Sequence, residues 1–206
     1  MSILSTLDTE DIHHLIKEQL DNSNSATDKL TAFSLYLNSS AKDKLRVLKD
    51  VEERSKKNLV SWESFLGVIA SNSSDDAIEI IKNIESSKSF RIEQSNDQRA
   101  LYVQFAHNRK KSLETQEGRD FFREIIIKTS SINEYTTVNA IKVLGNIDDM
   151  EEKFHIPLIR VLVDIMSNLN PEKTPSVYNT ARRLLLGAPI ALGEYNNIYG
   201  EIPFLK

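Results

Sequence analysis

The chain has 206 residues and a mass of 23.5 kDa, enough to bury a sizeable core without disulfide or metal staples. It contains no cysteine, which excludes disulfide frameworks, thiolate nucleophiles and iron–sulfur sites and fits a cytoplasmic location. Its 26 basic and 30 acidic residues leave a net charge of −4, so no global charge attracts nucleic acid or an anionic membrane.

Apolar residues recur at helical spacing along nearly the whole chain, and only six Gly and five Pro punctuate it. The expected class is all-α. Ile12, Leu15, Ile16 and Leu20 mark a first helix behind Asp8-Thr9, either of which offers a capping side chain. Leu30, Phe33 and Leu37 mark a second, entered through Ser25-Ala26-Thr27-Asp28. Leu45, Leu48 and Val51 form the apolar stripe of a charged third helix, and Leu59, Trp62, Phe65, Leu66 and Ile69 that of a more buried fourth.

The rhythm continues through 77–84, 96–106, 117–127 and 133–144, the last ending at Gly145, where a left-handed cap is expected. The longest apolar stripe spans 154–169, with Pro157 placed in a first turn because mid-helix proline costs about 3 kcal/mol. Thr174-Pro175 reads as N-cap and first helical residue, and Gly187 as the stop after 177–186. Short polar connections make successive helices antiparallel neighbours, about five pairs in a HEAT- or armadillo-like superhelical array over residues 1–187. Beyond Gly187 the breakers Pro189, Gly193, Gly200 and Pro203 predict an irregular tail, 188–206, which either packs Tyr195, Tyr199 and Phe204 on the last helices or is disordered.

No catalytic motif emerges. The four histidines, His13, His14, His107 and His155, form no H-E-x-x-H. Glu151 with His155 and His14 with Glu18 have the i,i+4 spacing of a metal clip, a spacing that ion pairs and helix-start packing also produce. There is no G-x-S-x-G elbow and no glycine-rich phosphate loop. The basic runs Arg54-Ser55-Lys56-Lys57, Arg109-Lys110-Lys111 and Arg182-Arg183 fall near helix ends, where cations complement the helix dipole. On these grounds the chain is a non-catalytic helical scaffold, and one option is a free-standing repeat module that binds a partner on its concave face.

Several segments, in order along the chain, resemble the C-terminal helical domain of the aminopeptidase N family of zinc metalloenzymes. Thr27-Asp28-Lys29-Leu30-Thr31-Ala32 is similar to the family's T-D-R-L-A-A helix start, and Lys57-Asn58-Leu59-Val60 to its N-G-L-V. Ser89-Phe90 followed by Asn96-Asp97-Gln98-Arg99-Ala100-Leu101 and Phe105-Ala106 resembles S-F-x-x-x-N-P-N-x-x-R-A-L-x-x-x-F-A. Glu117-Gly118 with Phe121-Phe122, Ser131-Ile132-Asn133 and Ser176-Val177-Tyr178 continue the series. The family's prolines after the two asparagines are here Asp97 and Glu134, and Trp62 is displaced from the family's buried tryptophan.

The resemblance covers about residues 10–187 and implies the last two thirds of a longer helical domain, incomplete at its N-terminus. It implies zinc and catalysis in a separate domain of the same polypeptide, with no cofactor in this chain and no activity alone. The implied task is to enclose the active-site cavity and control admission of peptide substrate. Arg99 matches a family arginine facing that cavity, where a guanidinium suits a peptide carboxylate or carbonyl. A second cavity arginine falls at Asn139, so that contact is altered. A shortened array is also expected to expose its first helix pair around Ile12, Leu15 and Ile16, and to dimerise through it.

Overall fold

The computed structural model describes residues 7–205, and these form α-helices and short turns with no β-strand among them. None of the described helices is long and apolar enough to cross a membrane. The chain divides into two compact units, up to Ile92 and from Glu93 onward.

The first unit holds α1 (Glu10–Asn22), α2 (Ala26–Leu37), α3 (Lys44–Ser55), α4 (Leu59–Ala70) and α5 (Ala77–Glu85). Each helix packs on its neighbour in sequence, and α2 also packs on α4, the stepwise pattern of a helical repeat. Local chemistry sets the starts: the Ser25 side chain accepts from the Asp28 amide and the Asn58 side chain from the Ser61 amide, satisfying donors that a helix leaves open. The core contains a ladder of rings, Phe33 on Phe65 at 5.8 Å and Phe65 on Trp62 at 5.4 Å, and Ile69, Ile81 and Leu37 are buried in the same unit.

Carboxylates fasten α1 to the corner between α2 and α3. Asp43 accepts from Lys17 Nζ and Arg46 Nη2, both at 2.6 Å, and from the Tyr36 hydroxyl. Lys17 above all holds the Asp43 carboxyl well below the usual carboxylate range, and burial followed by the Asp43 charge pushes Tyr36 up to about 12. Asp8, in a left-handed conformation (φ 44°), accepts from the Ser40 amide at 2.9 Å and lies 2.6 Å from His13 Nε2. Its carboxylate is thus taken up by Ser40 and the His13 side chain, and the N-cap Thr9 makes no side-chain capping bond.

The expected exposed face on the first pair is not there. Ile12 and Ile16 are buried, because α2 covers that side of α1, and only Leu15 is largely exposed. The apolar patch that argued for a dimer is thus missing its two central residues.

In the second unit one helical rod runs from α6 (Ser95–Gln98) through a π-helical turn (Arg99–Val103) into α7 (Gln104–His107). It is followed by α8 (Arg109–Ser112), α9 (Gln116–Ser130), α10 (Glu134–Ile141), α11 (His155–Asn168), α12 (Pro175–Leu186) and α13 (Pro189–Tyr199). The longest, α9 and α11, pack together, and α10, α12 and α13 close around them. Pro157 lies in the first turn of α11 and Pro175 is the first residue of α12, as the cost of mid-helix proline requires.

Three local expectations are corrected. Residues 189–199 of the supposed irregular tail are helical: Pro189 occupies the first position, where its missing N–H costs nothing, and Asp148 accepts from the amides of Ile190 and Ala191 at 3.0 and 2.9 Å. Gly145 is right-handed (φ −66°), because the helix before it tightens into a 3₁₀ turn, Lys142–Leu144, instead of reversing hand. Thr174 precedes α12 as expected, yet its hydroxyl donates back to the Asn170 carbonyl, and the first amides of α12 are met by Glu134, 2.6 Å from Ser176 N and 3.2 Å from Val177 N.

Candidate functional site

A cleft of about 440 Å³ opens in the second unit along the π turn and α10. Its wall on the rod carries Ser95, Asn96, Arg99, Val103 and His107, and the facing wall carries Tyr135, Thr136, Asn139 and Lys142. The two sequence-predicted residues, Arg99 and Asn139, thus meet in one cavity.

The local sequence explains how they are brought there. Asn133 caps α10 by accepting from the Thr136 amide at 3.1 Å, and its Nδ2 donates to Ser95 Oγ at 2.7 Å. One side chain thereby starts α10 and ties that start to the first residue of α6. Behind the wall, Thr137 Oγ1 donates to Thr129 Oγ1 at 2.9 Å and fixes α10 against α9. On the rod, Leu101 and Tyr102 are buried while Arg99 is exposed, so the π turn is anchored by its apolar side and offers its polar side to the cleft. Such a turn inserts one residue into the helical repeat, and it recurs where a side chain has to be re-aimed.

Electrostatically the cleft differs from the chain as a whole. The molecule is net negative, yet the lining holds Arg99, Lys142 and His107 and no carboxylate. The Arg99 guanidinium is lightly held, with Nη2 3.4 Å from Asn96 Oδ1, which leaves most of its five donors for another acceptor. Asn139 is half-buried and supplies an amide beside it, while Tyr135, 79% exposed, stands at the mouth. Donors that converge in a cavity of this size, with no carboxylate in the lining, are chemically suited to a carboxylate or a polarised carbonyl.

Sequence reasoning missed His107, Lys142 and Tyr135. Arg99, Val103 and His107 are spaced by four, a hint that they share a face, but nothing in the letters shows that α10 folds opposite them.

At the Glu151/His155 spacing, both side chains are taken up by other partners. His155 is buried, with Nδ1 3.2 Å from both carboxylate oxygens of Glu194 and Nε2 3.1 Å from the Met150 carbonyl, while Glu151 pairs with Lys153. His14 and Glu18 are both exposed on α1. Among the described residues no group of three or more His, Asp or Glu side chains is arranged to hold a metal ion.

The fold defines a helical-repeat domain, with a cleft in its second unit that presents Arg99, Asn139 and Lys142. Residues 1–183 match the family described as "Domain of unknown function (DUF3458_C) ARM repeats", and the chain belongs to that family. Among solved structures, Legionella pneumophila aminopeptidase A in complex with aspartic acid has the same fold over 89% of this chain, with a TM-score of 0.76 and 20% sequence identity. The chain spans 22% of the length of that protein. No curated protein matches the sequence. Both likenesses agree with the resemblance of the helical motifs to the aminopeptidase N helical domain.

Proposed function

We propose that this chain serves as the C-terminal helical domain of a cytoplasmic zinc aminopeptidase, enclosing the substrate cavity and governing the admission of peptides. The observation that carries the reading is the convergence of Arg99 and Asn139 on one carboxylate-free cleft. Arg99 was singled out because it matches a family arginine that faces the cavity, and Asn139 because the family's second cavity arginine would fall near it.

In this reading the zinc belongs to a catalytic part of the same polypeptide, where it supplies an activated water for peptide hydrolysis. The residues of this chain bind and orient. Arg99 donates two N–H groups to a carboxylate or carbonyl of the peptide, and the Asn139 amide donates or accepts beside it, according to the group presented. Lys142 adds positive potential at the rim and favours the approach of an anionic peptide end, and His107 places an imidazole beside it. Holding the far end of the substrate limits its rotation, and the benefit appears at the scissile bond as better alignment.

The test has two arms. The coding sequence upstream of Met1, or an adjacent gene, is expected to carry H-E-x-x-H; a genome with no such sequence in either place overturns the assignment to an aminopeptidase. In the assembled enzyme, Arg99→Ala is expected to raise KM for peptides roughly tenfold, the loss of about one charge-assisted hydrogen bond, while hydrolysis of a short aminoacyl reporter is unchanged. Equal KM for variant and wild type overturns the role of the cleft.

A further inference from the structure

The first unit contains a second concave site that the aminopeptidase reading does not use. It lies between α2 and the loop-side ends of α3 and α4, with a volume of about 330 Å³. Leu20, Leu30, Phe33 and Val51 form an apolar floor, and Val60, 72% exposed, forms one side. Lys29 and Arg54 are the charged residues of the lining, and no carboxylate joins them there.

Arg54 Nε donates to the Asp50 carbonyl, and neither Arg54 nor Lys29 is in an ion pair among the described residues. Asp28, the neighbour of Lys29, faces a different cavity, beside Ile16 and Leu35. Helix dipoles do not alter the balance: α1 and α3 end at this side of the unit while α2 and α4 begin there, so their terminal partial charges oppose one another. A local positive rim therefore surrounds an apolar floor in a chain whose net charge is −4.

We propose that this groove binds an acidic peptide segment through an aliphatic side chain, the side chain seated on Leu30, Phe33 and Val51 and its flanking carboxylates paired with Lys29 and Arg54. The volume stands near the lower end of the roughly 300–1,000 Å³ of ligand sites, room for one or two side chains. The hydroxyls of Ser61 and Ser64 on α4 are placed along the same wall and suit the carbonyls of a peptide backbone. Exposed Leu59 and Val60 in the first turn of α4 extend the apolar surface beyond the groove, as a segment of several residues requires. The site lies in the first unit and is independent of the Arg99 cleft.

The experiment is a titration of the full chain with fluorescein-labelled Asp-Glu-Leu-Leu-Glu-Asp, with Lys-Lys-Leu-Leu-Lys-Lys, and with the acidic peptide carrying Ser in place of both Leu. Amide shifts of isotope-labelled chain map the site. Saturable binding of the first peptide alone, weakened by salt, with shifts at Leu30, Phe33, Val51 and Val60, is the expected result. The double variant Lys29→Glu, Arg54→Glu, with unchanged circular dichroism, is expected to bind roughly tenfold more weakly, about 1.4 kcal/mol, from the loss of two exposed charge pairs. Equal binding of the basic peptide overturns the proposal, as does binding that survives loss of both Leu. Decanoate shifting these amides where the peptide does not would assign the groove to a small amphiphilic carboxylate, and self-association hiding the same amides would assign it to a second copy; either overturns the proposal.

Discussion

Asn133 Nδ2 donates to Ser95 Oγ at 2.7 Å and so lashes the start of α10 to the start of α6, the two elements that face each other across the Arg99 cleft. The same side chain caps α10 through the Thr136 amide. Asn133→Ala removes both bonds and is expected to cost about 1–2 kcal/mol, most of it the lost cap. Ser95→Ala removes only the tether and is expected to leave stability nearly unchanged while widening the cleft. Urea denaturation of the two variants separates the effects, and equal losses in both would contradict this division.

Gly118 in the first turn of α9 admits no side chain: a Cβ there would lie 1.6 Å from the Lys111 carbonyl oxygen. Thr115 holds that corner closed, donating to Lys111 O at 2.8 Å while accepting from the Gly118 amide at 3.0 Å. Gly118→Ala therefore has to open the junction of α8 and α9, at a cost of about 1–3 kcal/mol. Gly67, within α4, has no atom within 4 Å of a Cβ, and Gly67→Ala is expected to stabilise by about 0.5–1 kcal/mol. Thermal denaturation should move Tm in opposite directions for the two variants; a rise for Gly118→Ala would contradict the packing argument.

Most helices were legible because their partners lie a turn away in the same segment. The stripe Leu59, Trp62, Phe65, Leu66 and Ile69 and the caps Ser25 and Asn58 are local signals, and α2 and α4 follow from them. The helix at 189–199 was not legible, because its breakers dominate the local pattern and its N-terminal acceptor, Asp148, comes from a distant turn. The buried state of Ile12 and Ile16 was missed for a related reason: a stripe in the letters does not say which neighbour covers it. Arg99 and Asn139 were found by resemblance, whereas Tyr135, His107 and Lys142 join them only through tertiary packing and the π turn.

Acid should loosen the first unit, where the carboxyls held below their ordinary value lie. Asp43 is held low chiefly by Lys17 and Asp8 chiefly by the Ser40 amide; at Asp76 burial pushes up but is outweighed by the Ser74 hydroxyl and Lys44. A carboxyl whose value is depressed in the folded state stabilises fully above its unfolded value, near 4, and loses that contribution as pH falls through the folded value. Tyr36, raised to about 12, has the opposite sign: it favours the fold below about pH 10 and loses that contribution as pH rises toward 12. Stability measured against pH should fall below about pH 4, with a shallower fall in Asp43→Asn; an acid limb of equal steepness in the variant would contradict the assignment.

The last helix is held largely by polar contacts. His155 reaches Glu194, Asp148 caps the helix, and Arg160 donates to the Tyr199 hydroxyl at 2.6 Å with its guanidinium 4.9 Å from the ring centroid. Both ring nitrogens of His155 face acceptors, so replacing it leaves Glu194 and the Met150 carbonyl without their partner. His155→Ala is expected to cost about 1–3 kcal/mol and to speed amide hydrogen exchange across 189–199 before any other segment. Uniformly faster exchange throughout the second unit would show that α13 is not a separately releasable element.

Of the two groups proposed for the cleft at Arg99 and Asn139, the carboxylate end of a peptide is the stronger acceptor, and its binding there is the step on which the proposed function turns. It is tested most directly by titrating isotope-labelled chain with one tripeptide bearing a free C-terminus and with its C-terminal amide, for wild type and Arg99→Ala. The predicted result is a saturable shift of the Arg99, Tyr135 and Asn139 signals by the free acid, several-fold weaker with the amide and lost in the variant. Identical titrations with acid and amide, or a response unchanged by Arg99→Ala, would contradict it.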